Sequence, residues 1–209
     1  MTDTTTTAGT AAAKSRKGLV LQELDVLEGA IKKPEFRKNK GLGNEAGYYI
    51  FHYSPEEELL VRERIEKLKN KINKSAAGYS IVEFDLYEIM LDILQKKGFI
   101  EKCFKIEKEK GFANLIKELT KMLRVDSDKR DGPVIKHIKE NTPPDSVVFI
   151  TGAGKCYPVI YSHDVLNNLH SVIDAAPVIL FYPGEYNGQQ LVLFNQIPSK
   201  NYYRAFPLN

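Results

Sequence analysis

A short apolar run followed at once by a glycine-containing turn most constrains the fold of this chain. Residues 147–150 (VVFI) are continuously apolar, which is typical of a strand buried on both faces. Residues 151–155 (TGAGK) then turn the chain without side-chain bulk, and a helix beginning at Ser162 or Asp164 is expected to follow. Strand, glycine turn and helix in this order predict an α/β protein whose ligand or partner binds at the carboxyl ends of the strands.

The glycine turn has a P-loop-like layout but lacks a complete phosphate-binding motif. In the pattern G-x-x-x-x-G-K-[ST], Gly154 and Lys155 match, whereas Phe149 replaces the first glycine and Cys156 replaces the hydroxyl residue. A nucleotide site needs several backbone amides around the phosphates and that hydroxyl on the metal ion. We interpret the segment as a tight turn without a functional Walker A motif. Weak anion binding by Gly152, Gly154 and Lys155 stays an open alternative.

Periodicity along the rest of the chain predicts one α/β domain with a mostly parallel sheet flanked by helices. Residues 1–17 form a Thr/Ala-rich tail with little to bury, so we expect this tail to be disordered. Residues 18–209 form the domain, and the helical pattern of residues 86–140 predicts a helical insertion between the second and third strands. The other strands are predicted at residues 48–53, 81–85, 178–182 and 190–194.

Composition excludes several classes of protein. The net charge of +3 is too small to indicate nucleic-acid binding by itself, so we expect DNA to be bound only weakly or indirectly. Two distant cysteines, Cys103 and Cys156, exclude a disulfide framework and a cysteine-based zinc site. The chain has no apolar run of about 18 residues and no signal-peptide pattern, so we expect a cytoplasmic protein without a membrane span.

No set of residues with the spacing of a catalytic or metal site is found in the sequence. Ser162, His163 and Asp164 are the residue types of a hydrolytic triad, but consecutive side chains point in different directions, so we interpret them as a helix start. The acidic segment of residues 126–131 lacks the closing glutamate of a calcium loop and is interpreted as a turn. We therefore predict no cofactor, no metal and no enzymatic activity.

The C-terminal half carries a set of motifs whose order and spacing are specific. They are Thr151-Gly152-x-Gly154, Tyr157-Pro158, Ser162-His163, residues 166–169 (LNNL), Pro183-Gly184-x-Tyr186-x-Gly188, Leu191-x-Leu193-Phe194 and residues 201–206 (NYYRAF). With these motifs the chain resembles the BrxB family of the BREX bacteriophage-defence systems. The resemblance implies a cytoplasmic component without established enzymatic activity, acting beside a DNA methyltransferase, an AAA-type ATPase and the phosphatase-superfamily protein PglZ.

Taken with that resemblance, the residues favour a non-enzymatic adaptor that binds a PglZ-type partner. The alternative is a nucleotide- or DNA-binding protein of the same defence complex, using the glycine turn or the lysines of the tail and helices. Aromatic residues with arginine are typical of interface hot spots. On that basis Tyr186, Tyr202, Tyr203 and Arg204 are predicted to be exposed and to contact the partner.

Overall fold

The computed structural model describes residues 5–38, 47–123, 132–199 and 205–209, with side chains from Lys17 onward. In chain order the elements are α1 (Thr5–Ile31), α2 (Pro34–Arg37), β1 (Tyr48–Tyr53), a 3₁₀ turn (Pro55–Glu57), α3 (Glu58–Asn73), β2 (Ser80–Asp85), α4 (Leu86–Lys96), α5 (Ile100–Lys110), α6 (Phe112–Leu123), α7 (Pro133–Glu140), β3 (Ser146–Thr151), α8 (Ala153–Cys156), α9 (Ser162–Leu169), β4 (Val178–Tyr186), β5 (Leu191–Leu193), β6 (Ile197–Pro198) and β7 (Phe206–Pro207).

The strands form a mostly parallel sheet, as the sequence predicts for an α/β protein. Their order in the sheet is β2-β3-β4-β1-β7. Val148 pairs with Val178 and Tyr48 also pairs with Val178, so β4 lies between β3 and β1. Every residue of β3 is buried, which fits its apolar run and its position inside the sheet. The short strands β5 and β6 add an antiparallel extension to the end of β4.

The sheet is covered by helices on both faces, because alternate residues of each strand point to opposite sides. Phe149 and Phe181 face α1 and α3, and together they form one apolar core. Ile150 and Leu180 face the other way, into the larger core made with α4, α6, α7 and α9. The sheet is therefore the middle of three layers, and its strand ends are open for a site.

The sequence predicts a disordered tail over residues 1–17, but in the structure helix α1 already begins at Thr5. Its buried stripe, at Val20, Leu24, Leu27 and Ile31, has the expected helical spacing and packs on the sheet. Alanine has the highest helix propensity, and adding turns to a helix that already exists is easier than starting one. The Ala-rich segment therefore continues a helix that the apolar stripe anchors.

Helices α4 to α7 lie between β2 and β3 in the chain, the region where the sequence pattern is helical throughout. Leu123 at the end of α6 and Val134, Ile135 and Ile138 of α7 are fully buried in the same core as the sheet. That residues 86–140 form a helical insertion between the second and third strands stays a prediction. Residues 124–131, which include the acidic segment interpreted as a turn, lie outside the described residues.

Strand β4 continues through Pro183 and Gly184, where the sequence suggests that the chain turns away. Gly184 has a φ of 153°, and a Cβ atom there would overlap the carbonyl oxygen of Val192 on β5. Phe194 donates its backbone N–H to the Pro183 carbonyl at 2.9 Å. Because Gly184 has no side chain, β4 pairs closely with β5 here, and the chain does not turn away. In the parts of the chain that the structure describes, no helix is long and apolar enough to cross a membrane.

Candidate functional site at the carboxyl ends of the strands

The glycine turn after β3 is shaped by Asp85, the last residue of the neighbouring strand β2. Gly152 precedes α8 and has a φ of 76°, which a side chain would disfavour. A Cβ atom on Gly152 would clash with Asp85 Oδ1 and would lie 3.0 Å from Asp85 Cγ. Glycine is needed here because a carboxylate of the protein itself approaches the backbone.

Asp85 binds the lysine that a P-loop would direct at phosphate. Asp85 Oδ2 is in contact with Lys155 Nζ, and this ammonium also lies 5.5 Å from the centre of the Tyr87 ring. Asp85 Oδ1 accepts hydrogen bonds from the backbone N–H groups of Tyr87 at 3.0 Å and Glu88 at 3.4 Å. Asp85 therefore caps α4 and at the same time neutralises Lys155. The lysine is therefore held in an ion pair within the chain.

Phe194 fills the space beside the second glycine of the turn. A Cβ atom on Gly154 would lie 2.8 Å from Phe194 Cε1 and 3.2 Å from Pro183 Cγ. Because Gly154 has no side chain, α8 can pack closely against the β4–β5 hairpin. Anion binding by Gly152, Gly154 and Lys155 stays a prediction, with the lysine charge already paired within the chain.

Glu83 interrupts the apolar run of β2 because it connects three elements. Thr151 Oγ1 at the end of β3 donates to Glu83 Oε1 at 2.9 Å, and Lys69 Nζ of α3 lies 2.7 Å from Glu83 Oε2. A half-buried carboxylate with two partners is satisfied in place. Its position in the sequence is explained by this network without a metal ion.

A cavity of about 330 Å³ opens between α8, α9 and the β4–β6 hairpin region. Its size is at the lower end of the range for small-ligand sites. The wall is apolar on the hairpin side and polar at the start of α9. The lining residues are Ala153, Tyr157, Ile160, Tyr161, Ser162, His163, Asp164, Tyr182, Leu191, Leu193, Ile197, Pro198 and Ser199.

His163 is the central polar residue of this cavity. Its Nδ1 lies 3.1 Å from Ser199 Oγ, and its Nε2 lies 3.3 Å from Asp164 Oδ1. Burial lowers the pKa of His163, while the nearby Asp164 carboxylate acts in the opposite direction. The ring is therefore neutral near pH 7 and can accept the Ser199 hydroxyl proton in a hydrogen bond.

The sequence motif Ser162-His163-Asp164 did not identify this arrangement. Ser162 is buried at the start of α9, but Tyr161 precedes the helix and no side chain caps it. The serine that meets His163 is Ser199, 36 positions along the chain. Hydroxyl, imidazole and carboxylate in contact are the groups that activate a serine nucleophile. Only the tertiary structure could reveal this set, because it brings the distant Ser199 to the consecutive pair His163 and Asp164 of α9.

The remaining candidate residues do not gather into a site within the described ranges. No group of three or more His, Cys, Asp or Glu residues there could hold a metal ion. Cys156, the last residue of α8, is buried, and burial raises its thiol pKa to about 12, so it is a structural residue. Cys103 is half-buried, and burial raises its thiol pKa too.

The predicted partner-binding residues are divided by the structure. Tyr186 is only 5% exposed, and its hydroxyl donates to the Ala205 carbonyl at 3.0 Å and accepts from the Ala205 N–H at 3.1 Å. The prediction that Tyr186 is exposed is wrong. Its place in the sequence suggests a turn, but Tyr186 is the last residue of β4 and is buried there. Tyr202, Tyr203 and Arg204 lie outside the described residues.

Comparison with known proteins identifies the same family that the motifs of the C-terminal half resemble. A family model described as "BREX protein BrxB" matches residues 82–208, which include the last four residues of β2 and all residues that line the cavity. A BREX protein BrxB of Bacillus cereus (strain H3081.97) is 44% identical over 187 residues, covering 90% of this chain and 96% of the relative. A BREX protein BrxB of Escherichia coli O9:H4 (strain HS) is 31% identical over 185 residues, covering 88% and 89%. No solved structure matches the fold significantly. The chain belongs to the BrxB family of BREX proteins.

Proposed function

We propose that this chain is a non-enzymatic adaptor of a BREX phage-defence system and that it binds a PglZ-type protein of the phosphatase superfamily. Membership of the BrxB family supports a role in phage defence, since BrxB is a component of BREX systems. The PglZ-type partner is the association that the resemblance of the C-terminal motifs implies. Other BREX components, the ATPase and the methyltransferase, are further candidate partners.

The contact between Lys155 and Asp85 carries the adaptor proposal. A P-loop lysine contributes by binding the β- and γ-phosphates, so its charge must be available to the ligand. Here the charge is neutralised by the residue that also caps α4, and Phe194 occupies the side of the turn next to Gly154. The strand, turn and helix are present, but Lys155 forms an ion pair within the chain and so stabilises the fold. Such a scaffold fits binding of a partner better than binding of a nucleotide.

The experiment that tests this function is co-purification followed by calorimetry. The tagged full chain is co-expressed with the PglZ-type protein of the same BREX system, and the two purified proteins are then titrated. We expect a stable complex and no heat of binding with ATP or GTP at physiological concentration. A micromolar nucleotide affinity that Lys155→Ala abolishes, or no complex with the PglZ-type protein, would contradict the proposal.

One observation favours a second candidate function, the hydrolysis of an acyl ester. Ser199 Oγ is in hydrogen-bond contact with a neutral His163, and both line the cavity. In such a reaction the Ser199 oxygen would attack the acyl carbon while His163 takes the hydroxyl proton and passes it to the departing alcohol. Water would then release the acyl group from Ser199 as a carboxylic acid. A fluorophosphonate probe distinguishes the two functions: labelling that Ser199→Ala removes would support the hydrolase, and an unlabelled chain would support the adaptor.

A further inference from the structure

Helices α5 and α6 form a hairpin on the larger core; we call residues 100–123 the basic hairpin. Gly111, with a φ of 78°, joins the two helices. Thr120 Oγ1 of α6 donates to the Val159 carbonyl at 3.3 Å, which attaches the hairpin to the segment after α8. The inner side is apolar and joins the core through Ile106, Leu115, Leu119 and Leu123. The hairpin is therefore anchored, and its outer side faces solvent.

Two phenylalanines on this hairpin are exposed. Phe104 on α5 is 61% exposed and Phe112, the first residue of α6, is 59% exposed. A single exposed apolar residue is ordinary, but phenylalanine is normally buried, and these two are eight positions apart on the same hairpin. Neither is needed for the apolar stripes that attach the helices to the core. Aromatic side chains are enriched in the buried centres of protein interfaces.

The two helices that carry these rings are rich in lysine. Residues 100–123 contain six lysines and four glutamates, all exposed. The hairpin therefore has a net charge of +2 (six lysines minus four glutamates), against +3 for the whole chain. Positive groups around an apolar centre complement an acidic surface and raise the rate of encounter with it.

We propose that the basic hairpin binds an acidic surface of a protein partner, with Phe104 and Phe112 inserted into apolar pockets of that partner. The proposal rests on the adaptor function and names the surface that performs it. A protein fits this surface better than DNA does, because glutamates alternate with the lysines. Glu101, Glu107 and Glu109 of α5 would repel phosphates, whereas two phenylalanines are suitable anchors for a protein interface.

Calorimetry of the full chain with the PglZ-type protein of the same system tests this surface. The first variant is Phe104→Ala/Phe112→Ala, and the second is Lys105→Glu/Lys108→Glu. Leu59→Ala is the matched control, because Leu59 is 77% exposed on α3, which packs on the opposite face of the sheet. All substituted side chains are exposed, so each variant should melt close to the native temperature. Lys105→Glu also removes a surface ion pair with Glu109 at 3.9 Å, a small effect that the melting curve measures.

We expect the phenylalanine variant to bind at least about 30-fold more weakly, as for the loss of an interface hot spot. The lysine variant should bind more weakly at low salt, with the difference shrinking as salt screens the charges. Leu59→Ala should change affinity by less than about twofold. This pattern supports the proposal.

Three other results overturn it. Native affinity in the phenylalanine variant would leave the adaptor function intact and remove the basic hairpin as its surface. Equal losses in the phenylalanine variant and in Leu59→Ala would mean a general effect of apolar exposure. Binding of a DNA duplex at physiological salt that the lysine variant abolishes, with unchanged binding of the protein, would assign the hairpin to nucleic acid. A native chain that does not bind the PglZ-type protein would instead contradict the adaptor function itself.

Discussion

The substitution Gly152→Ala tests whether Asp85 shapes the glycine turn. Gly152 and Gly111 have nearly equal φ values, 76° and 78°, but differ in their surroundings. A Cβ atom on Gly111 would meet nothing within 4 Å, whereas on Gly152 it would clash with the Asp85 carboxylate. Gly111→Ala therefore measures the backbone cost alone, and Gly152→Ala measures that cost together with the displacement of Asp85.

The two effects can be separated in magnitude. A left-handed alanine costs about 1 kcal/mol at either position. Moving Asp85 also removes the cap of α4, worth about 1 kcal/mol, and the partly buried ion pair with Lys155, worth up to about 1 kcal/mol. We expect Gly152→Ala to lower the free energy of unfolding by about 3 kcal/mol and Gly111→Ala by about 1 kcal/mol. For a chain of this length the gap corresponds to about 4–8 °C in melting temperature.

Urea denaturation and thermal melts of the two variants provide the assay. Equal destabilisation by both substitutions would refute the reasoning, because it would show that Asp85 does not resist the added methyl group. A double-mutant comparison adds a second check. In an Asp85→Ala background the carboxylate is gone, so most of the excess cost of Gly152→Ala over Gly111→Ala should disappear. Only the Leu86 backbone nitrogen, 3.2 Å from the added Cβ atom, would remain close.

Three further predictions concern DNA, His163 and the C-terminal tail. Binding of DNA should be non-specific and lost at physiological salt, since such affinity comes from counterion release; sequence-selective binding at that salt in a gel-shift assay would contradict this. Because burial lowers the pKa of His163, the unfolded chain binds more protons below its ordinary pKa of about 6.5. Native stability should then fall as the pH falls from 7 to 5, and urea titrations should show a smaller decline for His163→Gln. Finally, Tyr203→Ala or Arg204→Ala should weaken binding to the PglZ-type partner by about 2 kcal/mol in calorimetry without lowering the melting temperature.

Local patterns were sufficient for much of the secondary structure and for the fold class. The aromatic segment at residues 48–53 was predicted with the bounds that β1 has, and the run at residues 147–150 became the fully buried strand β3. The apolar residues from Val20 to Ile31 recur at helical spacing in the sequence and lie on the buried face of α1. These features are local because burial leaves a period of two or 3.6 residues in the sequence itself.

Partners far apart in the chain were decided only by the tertiary structure. Strands β1 and β2 follow one another in the chain, but β3 and β4 lie between them in the sheet. Glu83 and Asp85 interrupted or ended an apolar run without a visible reason, and their partners Thr151 and Lys155 are 68 and 70 positions away. No period in the sequence encodes such pairings, since they depend on which strands become neighbours.

The same distinction applies to the candidate site. The sequence by itself determined that a glycine turn follows a buried strand and that the phosphate motif is incomplete, because both are statements about adjacent residue types. Only the folded chain brought Ser199 to His163 and Asp85 to Lys155. It also buried Tyr186 against Ala205 instead of exposing it. Whether a polar or aromatic side chain is exposed depends on what the rest of the chain packs against it, and that information is distributed over the whole sequence.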